Sequence, residues 1–269
     1  MSEGSREVLY KEENQIGLFP DSLQVRLGEV DSTNEEARRM AIRGAKEGTV
    51  IIADTQTAGR GRRGRSWYSD SSGSLYLSIL LRPGFSPDRA SMITLVAALA
   101  VSQAIEEVCG LEAAIKWPND LVLSRKKVCG ILTELYLTEG KIDSLIVGIG
   151  INVNRNAFPR DIASLATSLQ RELGEPVDKE KLVKALLKCF EEKYREFLLH
   201  ENLSSLQAEY NERLISRGRQ VRVTGTAQEL SGEALGINEA GELLVKREDG
   251  VVEAVYAGEV SVRGIYGYV

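Results

Sequence analysis

Gln56-Thr57-Ala58-Gly59-Arg60-Gly61-Arg62-Arg63-Gly64-Arg65-Ser66-Trp67 separates two architectures. Gly59, Gly61 and Gly64 satisfy the pattern G-x-G-x-x-G, which in a dinucleotide-binding fold lies between a strand and the helix whose N-terminus receives pyrophosphate. Here a strand is predicted before the loop, at Thr49 to Asp54, and another after it, at Leu75 to Leu81. The helix is missing, and the context rejects a dinucleotide fold. Four arginines and three glycines within seven positions set guanidinium forks beside backbone N–H groups, a combination suited to phosphate or carboxylate. The same composition also fits a solvated basic loop that touches nucleic acid or nothing.

Outward from this loop the chain reads as alternating helix and strand. Ser32 and Glu35 have capping-box spacing, and a helix is predicted over Ala37, Met40 and Ile42 up to Gly44. Ser86 and Pro87 start another, with a broad apolar face from Ala90 to Val108 and a stop at Gly110. Strands are predicted around Leu121 to Leu123, at Val128 to Tyr136 and at Ser144 to Asn152, the last a continuous apolar run that reads as a buried central strand. Helical spacing returns at Asp178 to Leu199 and Leu203 to Leu214. From about Arg217 the pattern switches to alternation, at Val221 and Val223, Leu243 and Val245, Val252 and Ala254, and Val260 and Val262, with Asp249-Gly250 as a hairpin signal. The expected fold is α+β, with a catalytic domain over residues 1–216 and a small barrel-like β domain over 217–269.

Composition narrows the functional classes. In 269 residues, 43% are hydrophobic, and 34 basic against 39 acidic side chains give a net charge of −5, so there is no general attraction to nucleic acid or anionic membranes and any anion site is local. The first 20 residues carry no apolar segment of the secretory type. The longest apolar run, Leu95 to Val101, is short for a bilayer, and a cytoplasmic protein is expected. Cys109, Cys129 and Cys189 are scattered and read as buried thiols. A single histidine, His200, closes a helix, which removes histidine triads and most metal sites.

Other clusters are ambiguous one at a time. Lys116-Trp117-Pro118-Asn119-Asp120 is either a turn with Trp117 in the core or a site. Lys126-Lys127 before Val128-Cys129-Gly130-Ile131-Leu132 is either a solvated strand end or a charge at the mouth of a buried strand. Gly148-Ile149-Gly150-Ile151-Asn152 permits close backbone approach. Asp31-Ser32-Thr33-Asn34 fits a helix cap.

In this order, the clusters together resemble the biotin protein ligase family, and Glu259-Val260-Ser261-Val262-Arg263 extends the resemblance. The Arg-Gly loop and Lys116 to Asp120 are its specific parts. The resemblance implies a mixed-sheet catalytic domain of the biotin/lipoate ligase type with a C-terminal SH3-like barrel. It implies ATP-dependent formation of biotinyl-5'-AMP and transfer of biotin to a lysine of a biotin carboxyl carrier protein, with Mg²⁺ and ATP as cofactors. Lys127, Arg62 and Asp120 take the catalytic roles. Ser32, Thr33, Asn34, Gln56, Arg60, Gly61, Arg62, Lys127 and Gly130 hold biotin, its ureido group against Ser32, Thr33 and Gln56 and its tail along Gly148 to Ile151. Arg62, Arg65, Trp67, Asn119, Asn152 and Arg263 hold the nucleotide, with Trp67 over the adenine. Asp120, and less strongly Glu134, are metal candidates. With 30 residues before Asp31, no N-terminal DNA-binding domain and no nucleic-acid partner are expected; a homodimer is allowed. The rivals are a lipoate or octanoate ligase and a nucleic-acid-binding regulator.

Overall fold

The computed structural model describes residues 18–19, 21–69, 73–225, 229–257 and 261–264. Its larger sheet has seven strands: β1 (Gln24–Val30), β2 (Val50–Gln56), β3 (Ser74–Leu81), β4 (Ala114–Lys116), β5 (Asp120–Leu123), β6 (Lys126–Thr138) and β7 (Lys141–Asn152), in the spatial order β1-β2-β3-β7-β6-β5-β4. β1 and β2 pair in parallel, joined through helix α1 (Thr33–Ile42); every other pair is antiparallel, so the sheet is mixed. All eight residues of β3 are buried, and β7 beside it is buried from Ser144 to Ile149, which makes these the central strands.

Helices α2 (Met92–Cys109) and α4 (Lys179–His200) cover one face. Asp178 caps α4, its carboxylate accepting from the N–H groups of Glu180 and Lys181 at 2.9 and 3.1 Å, a contribution of about 1 kcal/mol. Gly110, in the left-handed conformation at φ 66°, ends α2 where a side chain would be strained. The stretch Pro87–Cys109 is long and apolar enough to cross a membrane, so the length argument from the short apolar run does not decide the matter; burial does, because 67% of its most apolar window is packed inside the protein. Short helices α3 (Leu169–Leu173) and α5 (Gln207–Arg213) follow their loops, α5 shorter than the spacing predicts because Leu203 to Leu206 turn back on themselves, Leu203 donating to the Glu239 carbonyl.

The chain then enters a second, wholly antiparallel sheet of β8 (Gln220–Thr224), β9 (Leu230–Ile237), β10 (Leu243–Lys246), β11 (Val252–Val255) and β12 (Ser261–Gly264), ordered β11-β10-β9-β8-β12. The predicted hairpin turns at Gly250, φ 84°. Two hydrogen bonds tie this sheet to the larger one through backbone carbonyls: Trp117 Nε1 donates to Gly241 O and Arg62 Nη2 to Ala257 O, each at 3.0 Å.

Candidate functional site

A cavity of about 1120 Å³ opens over the face of the large sheet that the long helices leave uncovered, and the Arg-Gly loop forms its rim. One wall is the turn before α1. The expected capping box does not form, since Ser32 makes no side-chain cap bond. Instead Gln56 Oε1 accepts from the Thr33 N–H at 2.8 Å, and Glu35 pairs with Arg60. Arg39 fixes the turn from behind, with a two-pronged bond to Asp31 at 2.7 and 2.9 Å and a third to buried Glu36 at 2.7 Å. The hydrogen bond from Arg39 holds the Asp31 carboxyl below the usual carboxylate range. Thr33 and Asn34 are buried and line the cavity, linked through Ser78 of β3.

The Arg-Gly loop is more ordered than its glycine content implies. Gly61 N–H donates to Arg65 O at 2.7 Å and Trp67 N–H to Gly59 O at 2.9 Å, so the loop closes like a hairpin. The Gly61 amide is thereby spent within the loop. At the tip, Arg63 and Gly64 both take left-handed conformations, φ 59° and 69°. Arg60 turns toward Glu35 and Glu134, and Arg62 bridges Asn119 Oδ1, at 3.0 Å, to the second sheet. Arg63 and Arg65 remain exposed at the cavity edge.

The floor is made by two strands whose register sets Gly130 of β6 opposite Gly150 of β7. The Trp67 indole lies on this pair: a Cβ at Gly150 would come within 2.7 Å of Trp67 Cε2, and one at Gly130 within 2.6 Å of Cζ3. Trp67 thus occupies part of the strip on which the tail of biotin was expected to lie, and a tail placed there displaces the indole. Gly148, further along, is covered by Asn34. Lys127 Nζ stands 5.2 Å from the Trp67 ring centroid and 2.6 Å from Asp120 Oδ1. Its backbone is strapped to the loop after β7 by Lys127 N–H to Leu165 O and Thr167 N–H to Lys127 O, at 2.8 and 2.9 Å.

The structure brings most of the predicted residues to this cavity: Ser32, Thr33, Asn34 and Gln56 on one wall, Arg60 to Trp67 on the rim, Asn119, Asp120, Lys127, Gly130 and Asn152 on the floor and far side. Asn119 also donates to Ile131 O at 3.1 Å, and Asn152 Nδ2 to Thr167 O at 3.0 Å, so both amides have structural duties. Trp117 is 2% exposed and belongs to the core, as its alternative reading held. Asp120 faces Gly130 in the ladder while Glu134 lies four residues further along β6, about 13 Å away. One ion therefore meets one of them, and Glu134 is already bonded to Asn34 Nδ2 at 2.7 Å. Arg263 is on β12, but its side chain, like Glu259 and Val260, lies outside the described residues. Sequence reasoning missed Glu35, Ser69 and Ser78. Ser78 had a readable signal, a polar residue in the middle of an apolar strand. Ser69 accepts from Gln56 Nε2 and donates to Trp67 O, contacts that no spacing encodes.

Comparison with known proteins agrees with this geometry. Residues 27–152 match the biotin/lipoate A/B protein ligase family, and residues 217–263 the biotin protein ligase C terminal domain. The bifunctional ligase/repressor BirA of Bacillus subtilis is 37% identical over 233 residues, 86% of this chain and 71% of that protein. The biotin--[acetyl-CoA-carboxylase] ligase of Paracoccus denitrificans is 34% identical over 231 residues, 82% of this chain and 92% of its own length. Among solved structures, the biotin protein ligase from Aquifex aeolicus in complex with biotin and ATP superposes with a TM-score of 0.79 at 35% identity, covering 90% of this chain and 98% of that one. The chain belongs to the biotin protein ligase family.

Proposed function

We propose that this protein activates biotin with ATP to biotinyl-5'-AMP and transfers biotin to a lysine of a biotin carboxyl carrier domain, the acceptor being a carboxylase as in the relatives' names. The observation that carries the reading is the meeting, in one cavity, of a donor-acceptor wall at Thr33 and Gln56, an arginine rim, and Lys127 held at 2.6 Å by Asp120. Joining a carboxylate to the α-phosphorus of ATP brings two anions together, and electrostatics is the main obstacle. Arg62 and Lys127 offset it with charge-assisted hydrogen bonds, Lys127 bridging the carboxylate and the α-phosphate while pyrophosphate leaves. Arg65 at the rim faces the outgoing phosphates, and Asn119 and Asn152 border the nucleotide. Trp67, which starts on the glycine floor, moves to admit biotin and then packs over the bound ligand.

In the second half-reaction the neutral acceptor amine attacks the acyl carbon, the bond to the phosphate oxygen breaks, and AMP departs. Asp120, beside the reacting carbonyl through Lys127, receives or orients the amine proton. Asn119 Oδ1 is taken by Arg62, so Asp120 is the residue that would hold Mg²⁺, as one protein carboxylate with the other ligands from phosphates and water. Bound there, the ion would neutralise phosphate charge. The reading takes residues 1–216 as the catalytic domain and 217–269 as its C-terminal companion, in a cytoplasmic enzyme.

The test is pyrophosphate and AMP formation with Mg-ATP and biotin, lipoate or no acid. Biotin-dependent release that drops by about 10²- to 10³-fold in Lys127→Ala is expected. A preference for lipoate would move the chain to the lipoate side of the matched family.

A further inference from the structure

The backbone hydrogen bonds that shape the Arg-Gly loop are made within it: Gly61 N–H to Arg65 O, Arg65 N–H to Arg62 O and Trp67 N–H to Gly59 O, at 2.7, 3.3 and 2.9 Å. A loop closed on itself in this way keeps its form while swinging about its stem, and its side chains then decide where it rests. Arg62 ties it to Asn119 and to the second sheet. Arg60 ties it elsewhere, to α1 and β6.

The Arg60 guanidinium is shared by two carboxylates. Glu35 of α1 pairs with it, and Oε1 of Glu134, on β6, stands 3.8 Å from its Nη1. Both carboxylates also belong to the wall of the cavity. Glu35 follows Thr33 and Asn34 in the first turn of α1, and the other oxygen of Glu134, Oε2, accepts from Asn34 Nδ2 at 2.7 Å. A substrate carboxylate or phosphate meeting this guanidinium would have to displace one carboxylate and approach the other. Arg60 is thus poorly placed to receive an anion and well placed to hold the loop. The side chains of Glu35 and Glu134 are 27% and 22% exposed and that of Arg60 is 43% exposed, so the anchor is worth a few-fold in population rather than orders of magnitude.

We propose that Glu35 and Glu134 are positioning residues for the Arg-Gly loop: through the Arg60 side chain they hold the stem of the loop against the turn that carries Thr33 and Asn34, and the Arg60 guanidinium anchors the loop instead of binding substrate. This departs from the role that the family resemblance gives to the Arg60 side chain. The proposal rests on the reading that the cavity holds biotin and biotinyl-5'-AMP. With the two carboxylates neutralised, the stem is released, the loop opens more often, and the bound adenylate escapes faster.

Two measurements on the full chain test it, each comparing wild type with Arg60→Ala, with Glu35→Gln/Glu134→Gln and with the triple variant. Glu134→Gln keeps an oxygen to accept from Asn34 Nδ2, so the wall is retained while the charge is removed. The first measurement needs no substrate: trypsin cleavage after Arg63 and Arg65, both exposed at the loop tip, read by mass spectrometry. Where opening and closing outpace cutting, the rate follows the open population. Arg60→Ala and the double variant are each expected to speed cleavage by about three- to fivefold, and the triple variant no further, because the anchor is already gone. The second is the rate at which labelled biotinyl-5'-AMP leaves the protein during a chase with unlabelled biotinyl-5'-AMP, a quantity that does not depend on the fraction of folded enzyme. The same pattern is expected, a rise of about three- to fivefold in both variants and no more in the triple. Cleavage or dissociation unchanged in Glu35→Gln/Glu134→Gln, or an Arg60→Ala effect that multiplies with it, would overturn the proposal while leaving the ligase reading intact. Wild type that fails to bind biotinyl-5'-AMP would overturn the ligase reading, and cleavage of the free chain would still decide whether Arg60 is the anchor.

Discussion

Replacing Gly150 with alanine puts a methyl group into the indole of Trp67. The added Cβ would stand 2.7 Å from Cε2 and 2.9 Å from Cζ2 and Nε1, whereas carbon atoms pack comfortably at about 3.5–4 Å. β7 is held on both sides by β3 and β6, so the ring retreats, by about 1 Å at the least. If it leaves the floor, about half of the 150–250 Å² that a tryptophan buries returns to water. At roughly 25 cal/mol/Å² that costs about 2–3 kcal/mol, which for a chain of this size lowers Tm by about 5–10 °C. Thermal melts read the stability, and tryptophan emission reads the ring: Trp117, the second tryptophan, is buried and bonded to Gly241 O, so a red shift in the folded variant reports Trp67. If the biotin tail runs along this strip as the family resemblance implies, KM for biotin should rise by at least about tenfold as well. Gly28→Ala is the matched control, a strand glycine whose added Cβ meets nothing within 4 Å, and it should leave emission and KM unaltered. Gly150→Ala with wild-type Tm, emission and KM would refute the assignment of the glycine pair as a floor for both the indole and the substrate.

Arg62→Ala removes the bonds to Asn119 and Ala257 that hold the loop over the cavity, and is expected to raise release of free biotinyl-adenylate about tenfold relative to transfer; an unchanged ratio, measured by chromatography of single-turnover products, argues against the loop as a shield. Arg39→Ala tests the turn before α1. Asp31 has its pKa lowered by Arg39, so the pair stabilises the fold above the ordinary carboxylate value and the effect is lost as pH falls through the depressed one. Urea melts should show the variant less stable than wild type near neutrality, by less than about 1 kcal/mol at this half-exposed pair, with the two curves converging only as pH falls below the ordinary carboxylate value and Asp31 takes up its proton; a gap that is the same at every pH would show that Arg39 acts through packing.

The long elements were legible because their cores are continuous: Ser144 to Asn152, Ala90 to Val108 and Asp178 to Leu199 each carry an unbroken apolar pattern, and each is a strand or helix within a few residues of its predicted ends. What was missed lacks that pattern for physical reasons. β1 breaks its alternation at Gly28 and Glu29, both exposed at the sheet edge, and β4 is three residues long. β9 turns Gly232 and Ala234 inward, small residues that do not read as apolar, because at Gly232 a Cβ would meet the Lys246 carbonyl of β10 at 2.3 Å. In the site, the motif-bearing residues could be named from the chain. The resting place of Trp67 on Gly130 and Gly150, and the committed amide of Gly61, depend on a strand register and a loop closure that composition does not contain.

The two bonds that tie the sheets together, from Trp117 to Gly241 O and from Arg62 to Ala257 O, have donors of fixed identity on one side and plain peptide carbonyls on the other. A carbonyl survives any substitution that preserves the backbone path. Outward-facing side chains of the small sheet can thus change without touching either bond, whereas Val221, Val223, Leu243 and Val245 share one core with the large sheet and are held by packing. Substitution at Trp117 or Arg62, which supply the donors, is where tolerance should end.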